Sequence, residues 1–237
     1  FRSSLRAGVT WDFETFGEYL ETLRTKGVYP NVAALASHAT IRCAVMGDDA
    51  SKRAATPEER QAMVTYLRDA LDAGAMGLGS STNENHRGEG GVPIASRLAD
   101  QDEFDAFADA MADYDHGVFL ITTGNHMDME FMERMAARSG RPALYAAHFH
   151  YVDEPERGRR LMLDAEAARG RGRPVYTQGA CQPLSLAFTL DEAYILKAIA
   201  PWPTSATRHT PVGNCARQLP DRRQPRPPRV TSTRRAS

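Results

Sequence analysis

Two of the seven histidines, His148 and His150, stand two apart at the end of an apolar run from Pro142 to Ala147. On a strand that spacing puts both rings on one face, where imidazoles could share a metal ion such as zinc. The other reading of His148 is a polar side chain satisfied by a hydrogen bond. The same pattern recurs along the chain. An apolar run from Asn31 to Ala36 stops at Ser37-His38, Ala75 to Gly79 at Ser80-Ser81, Gly117 to Ile121 at Thr122-Thr123, and Arg173 to Tyr176 at Thr177-Gln178. His38, Ser80, Ser81, Thr122, Thr123 and Gln178 are therefore candidate contacts for the polar groups of a small molecule. Capping and loop hydrogen bonds are the alternative for each of them.

Such residues need a scaffold that brings strand ends together. Thr56-Pro57-Glu58-Glu59 reads as a helix start, with Thr56 as cap, Pro57 in the first turn and Glu59 completing a capping box. Met63, Leu67, Ala70 and Leu71 follow at helical spacing, and Gly74 is placed to end the helix. Further helical patterns carry Phe104, Phe107 and Met111, then Phe131, Met132 and Met135 before Gly140, then Leu161, Ala165 and Ala168 before Gly170. Met129, Met132 and Met135 read as a core stripe. Strands alternating with helices require crossover connections, so the expected class is α/β with a parallel sheet. Such sheets place their chemistry at the carboxyl ends of the strands, where these five runs turn polar.

Three further histidines read as structural. His86 falls in a Gly-rich loop, Asn83 to Gly91, without a phosphate-binding lysine, and reads as part of a lid or surface loop. His116 and His126 read as surface or capping residues. Asp153 and Glu154 precede a helix at Pro155, where carboxylates favour the amide-rich end.

The chain has 237 residues, 42% hydrophobic and 25% charged, which suits one sizeable core. No apolar run approaches a membrane span, and Cys43, Cys181 and Cys215 have no paired spacing, so a reducing cytoplasm is the expected location. A net charge of −1 hides a split, because residues 203–237 hold eight arginines against Asp221 alone. This tail has no periodicity, no aromatic residue to stack on bases and no amphipathic spacing; we expect it to be disordered and to bind neither nucleic acid nor membrane. The chain holds 26 arginines and three lysines, as a GC-rich gene would give, and a frameshift near Trp202 would account for the tail. The expected organisation is a stub at 1–8, a βα-repeat domain at 9–202 and the basic tail at 203–237.

Several segments resemble one family. Val9-Thr10-Trp11-Asp12-Phe13-Glu14-Thr15-Phe16-Gly17-Glu18-Tyr19-Leu20 is similar to a segment of the N-acyl-D-amino-acid deacylases, or D-aminoacylases, a branch of the amidohydrolase superfamily. The likeness continues through Val32 to Leu35, His38, Arg42, Val45-Met46-Gly47, Ala55 to Glu59, and Gly77-Leu78-Gly79-Ser80-Ser81. It persists in Ile121-Thr122-Thr123-Gly124, Gly140 to Tyr145 and Gln178-Gly179.

The resemblance implies a (β/α)8 barrel in which a divalent metal, usually zinc, activates water to hydrolyse the amide of an N-acyl-D-amino acid. It also implies that the family's His-x-His pair and Cys ligand precede Phe1, and that its catalytic Asp follows the point where the chain turns basic. About five of eight βα units would then be present. His150 takes the place of a single family ligand, and Tyr176 stands near where a further His is expected. On this reading the chain is a central fragment with an incomplete barrel, a weak or absent metal site and little activity. A non-catalytic binder of small molecules on the same scaffold is the alternative. An open doubly wound sheet is a third, without a Gly-x-Gly-x-x-Gly motif to support it.

Overall fold

A computed structural model describes residues 12–87, 92–124, 127–149 and 154–179. The first helix, α1 (Phe16–Lys26), starts from a capping box in which Thr15 accepts from the Glu18 amide and the Glu18 carboxylate accepts from the Thr15 amide. It is followed by β1 (Ala36–Ser37), α2 (His38–Met46), α3 (Pro57–Asp72) and β2 (Gly77–Ser81). Then come α4 (Gln101–Ala112), β3 (Val118–Thr122), α5 (Met129–Ser139), β4 (Ala143–His148), α6 (Pro155–Gly170) and β5 (Val175–Gly179). The Thr56–Glu59 capping box forms as its sequence dictates, with Pro57 as the first helical residue. Gly140 ends α5 in the left-handed conformation.

All five strands pair in parallel in the order β1-β2-β3-β4-β5. A doubly wound sheet reverses its strand order at a switch point, and this order never reverses. Right-handed crossovers that always advance in one direction lay every helix on the same face, which is the winding of a barrel. The doubly wound alternative is thereby removed, and the sheet is the singly wound α/β arrangement expected from the sequence.

Register divides the sheet into two kinds of row. Leu78, Phe119, Ala143 and Val175 align across β2 to β5, and all four are fully buried. This row meets the helices, whose buried side chains include Met63, Leu67, Phe107, Met111, Met132 and Met135. Gly79, Leu120, Leu144 and Tyr176 form the next row on the opposite face; the first three are half-buried and Tyr176 is 44% exposed. Gly77 has φ +123°, and a Cβ there would overlap the Val118 carbonyl oxygen, so only glycine lets β2 approach β3 at this point.

Several element boundaries differ from those read in the sequence. Strands β2 to β5 begin one or two residues later than expected and include Ser80, Ser81, Thr122, His148, Thr177 and Gln178, while Thr123 falls just past β3. The first strand is only Ala36–Ser37, and His38 opens a helix rather than a loop, because the Ser37 hydroxyl accepts from the Thr40 amide and caps α2. Glu154 precedes α6 without a side-chain cap hydrogen bond. Met132 and Met135 are buried, with Met129 packed partly against the core, as the stripe implies. Among the described residues, no helix is long and apolar enough to cross a membrane. The tail at 203–237, the stub at 1–8, His126 and His150 lie outside the described residues.

Candidate functional site at the carboxyl ends of the strands

The candidate residues divide between the two faces. Ser81, Thr122, Ala146 and Gln178 are in register and make one row, on the face opposite the helices. Ser80, Ile121, Tyr145 and Thr177 make the other, on the helix side. Ser80 is nonetheless half-buried, whereas Ile121 beside it is fully enclosed. Thr122 and Thr123 are half-buried and Gln178 is exposed. Thus the row of Ser81, Thr122 and Gln178 borders the unhelical face, and Ser80 belongs to a different cluster.

That cluster is the most chemically elaborate part of the molecule. His38 is fully buried as the first residue of α2, and its Nε2 lies 2.5 Å from Glu103 Oε1 while its Nδ1 lies 2.8 Å from Ser80 Oγ. Glu103 is buried in the first turn of α4 and also accepts from Arg42 Nη1. Arg42 sits one turn after His38 on α2 and donates from Nη2 to the carbonyls of Ala50 (3.2 Å) and Arg53 (2.8 Å). Phe104 and Phe107 meet the His38 ring edge-on, at 5.1 and 5.0 Å between centroids. Burial holds the His38 pKa below its ordinary value, against an opposing pull from Glu103. Burial also pushes the Glu103 carboxyl up, but the hydrogen bonds and charges of His38 and Arg42 outweigh it and the net direction is down. The stable state is an ionised Glu103 between a permanent Arg42 cation and a neutral His38.

Of the two readings of His38, pocket contact or internal hydrogen bonding, these contacts follow the second: both ring nitrogens are engaged and the residue is fully buried. The sequence reading missed Glu103 as a functional partner and gave Arg42 no role. The spacing of His38 and Arg42, one helical turn apart, was the available signal for their shared face.

A second pair closes on the opposite row. His86 Nδ1 lies 2.7 Å from Ser81 Oγ, which also accepts from the Asn83 amide at 3.2 Å. Ser96 donates to the Ser81 carbonyl at 2.7 Å and ties the returning loop to the end of β2. Burial lowers the His86 pKa, so the ring is neutral at pH 7. Gly124 fits closely here, since a Cβ would collide with the Thr82 backbone.

His148 goes elsewhere. The β4–β5 register shifts between Ala146 and His148, and the shared face expected for His148 and His150 falls partly outside the described residues. A Cβ on Gly158 of α6 would lie 3.3 Å from His148 Nε2, so the ring lies over that helix, and its buried Nδ1 has no hydrogen-bond partner. An open groove of about 690 Å³ adjoins it, lined in part by Phe149, Met162, Leu163 and Thr177. His116 is on the surface beside Asp115, 3.1 Å away, in keeping with its structural reading. Among the described residues, no three His, Cys, Asp or Glu side chains are grouped to hold a metal ion. His38 is saturated, His86 is committed at Nδ1 to Ser81, and His148 is turned to a helix, so the described donor set does not make a metal centre.

An advancing parallel sheet with polar strand ends is the winding of a barrel, which hosts many chemistries, and comparison with known proteins gives the class. The model of the Amidohydrolase family matches residues 7–216, and the chain belongs to that family. Within it the similarity is to the D-aminoacylase branch. A D-aminoacylase of Alcaligenes xylosoxydans xylosoxydans is 40% identical over 74 residues, which is 31% of this chain and 15% of that protein. A solved D-aminoacylase with a binuclear metal centre superposes with a TM-score of 0.58 at 26% identity, covering 70% of this chain and 34% of the other. The N-acyl-D-glutamate deacylase of Bordetella bronchiseptica, solved with zinc and a phosphonate mimic of the tetrahedral intermediate, gives 0.59 at 25% identity, covering 71% and 34%. The chain thus spans about a third of the length of these solved relatives.

Proposed function

We propose that this chain contributes the central βα units of a hydrolase that cleaves the amide C–N bond of N-acyl-D-amino acids, by water activated on a divalent metal. The observation that carries the reading is the family match across 7–216 together with the polar strand-end row of Ser81, Thr122 and Gln178. That row offers hydroxyl and amide groups suited to the carboxylate and acyl oxygen of such a substrate. Zinc is the proposed metal, because a solved relative holds it. It would supply Lewis acidity and an activated water, but the described residues do not assemble its ligands. His150 remains the proposed ligand from this chain. A cytoplasmic location is part of the proposal and rests on three cysteines without paired spacing in the sequence.

The same donor set favours a second reading, a binder without turnover, because the described histidines make contacts within the protein or lie against a helix. The test compares this chain with a polypeptide extended by the flanking reading frame, using N-acetyl-D- and N-acetyl-L-amino acids with and without zinc. Release of free D-amino acid by the extended polypeptide, with little from the chain alone, is the expected result. Binding of the D form by both polypeptides without turnover by either selects the binder. Failure of both to distinguish D from L overturns both readings.

A further inference from the structure

The two outer strands of the sheet differ in how much backbone they present. At one side β1 contributes only Ala36 and Ser37, whereas at the other, among the described residues, β5 runs from Val175 to Gly179 with no strand beyond it. An edge of that length displays backbone groups on which another strand can form. Their direction follows from the ladder. The Ala143 amide donates to the Pro174 carbonyl at 3.0 Å, so Pro174 faces β4, and by alternation Val175 and Thr177 face outward.

Val175 is nevertheless already occupied. Its amide donates to the Arg173 carbonyl at 2.8 Å, and its carbonyl accepts from Arg169 Nη1 at 2.9 Å. Arg169 belongs to the last turn of α6, on the helix side of the sheet, while Tyr176 stands in the row on the opposite face. Yet the Arg169 guanidinium lies 5.3 Å from the centre of the Tyr176 ring. A side chain that starts on one face and reaches a ring on the other must pass around the outer strand. The guanidinium therefore lies across the edge, held by a charge-assisted hydrogen bond and by the face of an aromatic ring.

We propose that Arg169 is a guard on the β5 edge, which keeps a second copy of this chain from adding its own β5 there. The strand excluded is β5 itself, antiparallel about a two-fold axis, because β1 offers only two residues to a head-to-tail contact. With the axis at Thr177, the two Thr177 residues exchange both of their hydrogen bonds, and Val175 is the next outward residue to join. Arg169 withdraws Val175 from that ladder and leaves Thr177 with too few neighbours to hold two copies together. Met162 and Leu163, 55% and 47% exposed, line the groove that Arg169 and Thr177 border, so an unguarded edge also brings apolar surface to the contact.

The experiment is sedimentation equilibrium on the full chain, with hydrogen exchange at the Thr177 amide read by NMR and urea titration to confirm that each variant is folded. The wild type is expected to be a monomer whose Thr177 amide exchanges quickly. Arg169→Met keeps the aliphatic stem and loses every donor; it should self-associate about a hundredfold more tightly than the wild type and protect Thr177. Arg169→Gln, which keeps a donor without the charge, should associate more weakly than Arg169→Met. Arg159→Met removes the same charge from the same groove, where Arg159 pairs with Glu156 on its own helix, and should leave the chain monomeric. Adding Thr177→Pro to Arg169→Met should restore the monomer, because proline withdraws an outward donor that β4 does not use. A monomeric Arg169→Met, equal association in Arg159→Met, or association that survives Thr177→Pro overturns the inference. So does a wild-type monomer with a protected Thr177 amide, because the edge is then covered within the chain.

Discussion

Leu120 follows Phe119 by one residue and lies on the same strand, yet the two inhabit different environments. Phe119, with Leu78, Ala143 and Val175 in its row, is fully buried against the helices; Leu120, with Gly79, Leu144 and Tyr176, is half-buried or exposed. The period of two that separates strand faces thus separates tasks as well. One face holds the fold together, and the other ends in hydroxyl and amide groups. The same division runs through the polar residues, since Ser80 is tied to the buried charge cluster while Ser81 joins the row with Thr122 and Gln178.

Truncation on either face tests this most sharply. Phe119→Ala should cost about 3–5 kcal/mol of stability, because a buried ring leaves a cavity, whereas Leu120→Ala should cost about 1 kcal/mol. Urea titration of the two variants provides the comparison, and equal losses would abolish the distinction between the faces. Arg42→Ala should cost about 3 kcal/mol or more, because it strands the Glu103 carboxylate in the core. Retention of wild-type stability in that variant would mean the cluster is solvated.

Acid should reach the cluster through His38. Its pKa is lowered from 6.5 on folding, so below pH 6.5 the unfolded chain binds a proton that the native state refuses. The stability contributed by the neutral ring is complete above pH 6.5 and is lost as pH falls from there toward the lower native value. The melting temperature should therefore drop as the pH is lowered through 6.5, and His38→Gln should flatten that drop. A pH slope indifferent to this substitution would place the sensitivity elsewhere. The smallest effect belongs to the surface: Thr56→Ala should cost about 1 kcal/mol by removing the α3 cap, measurable by thermal melts, with no change in the behaviour of either sheet face.

Local chemistry was legible in the sequence wherever one segment contained it. Thr56, Pro57 and Glu59 specify a helix start within four residues, and the α5 stripe of Met132 and Met135 before Gly140 is periodic enough to bury itself. Helix α2 was overlooked because its polar opening, Ser37-His38-Ala39-Thr40, reads equally as the end of a strand; Gly47 after Met46 was the stop signal. The pairing of His38 with Glu103 spans 65 residues and depends on α4 packing beside α2, which no local pattern declares. The register shift between Ala146 and His148 is likewise of a kind that alternation rules do not anticipate.

The central claim is that the face turned away from the helices is the ligand face of an amidohydrolase. Backbone amide shifts recorded while N-acetyl-D-glutamate is added to the chain test it directly, with the L enantiomer as control. The account predicts that the amides of Ser81, Thr122 and Gln178 move with the D form and stay still with the L form, while those of Phe107, Met111 and Met135 in the helices do not respond. Shifts confined to the groove beside His148, Met162 and Leu163, or identical responses to both enantiomers, would contradict it.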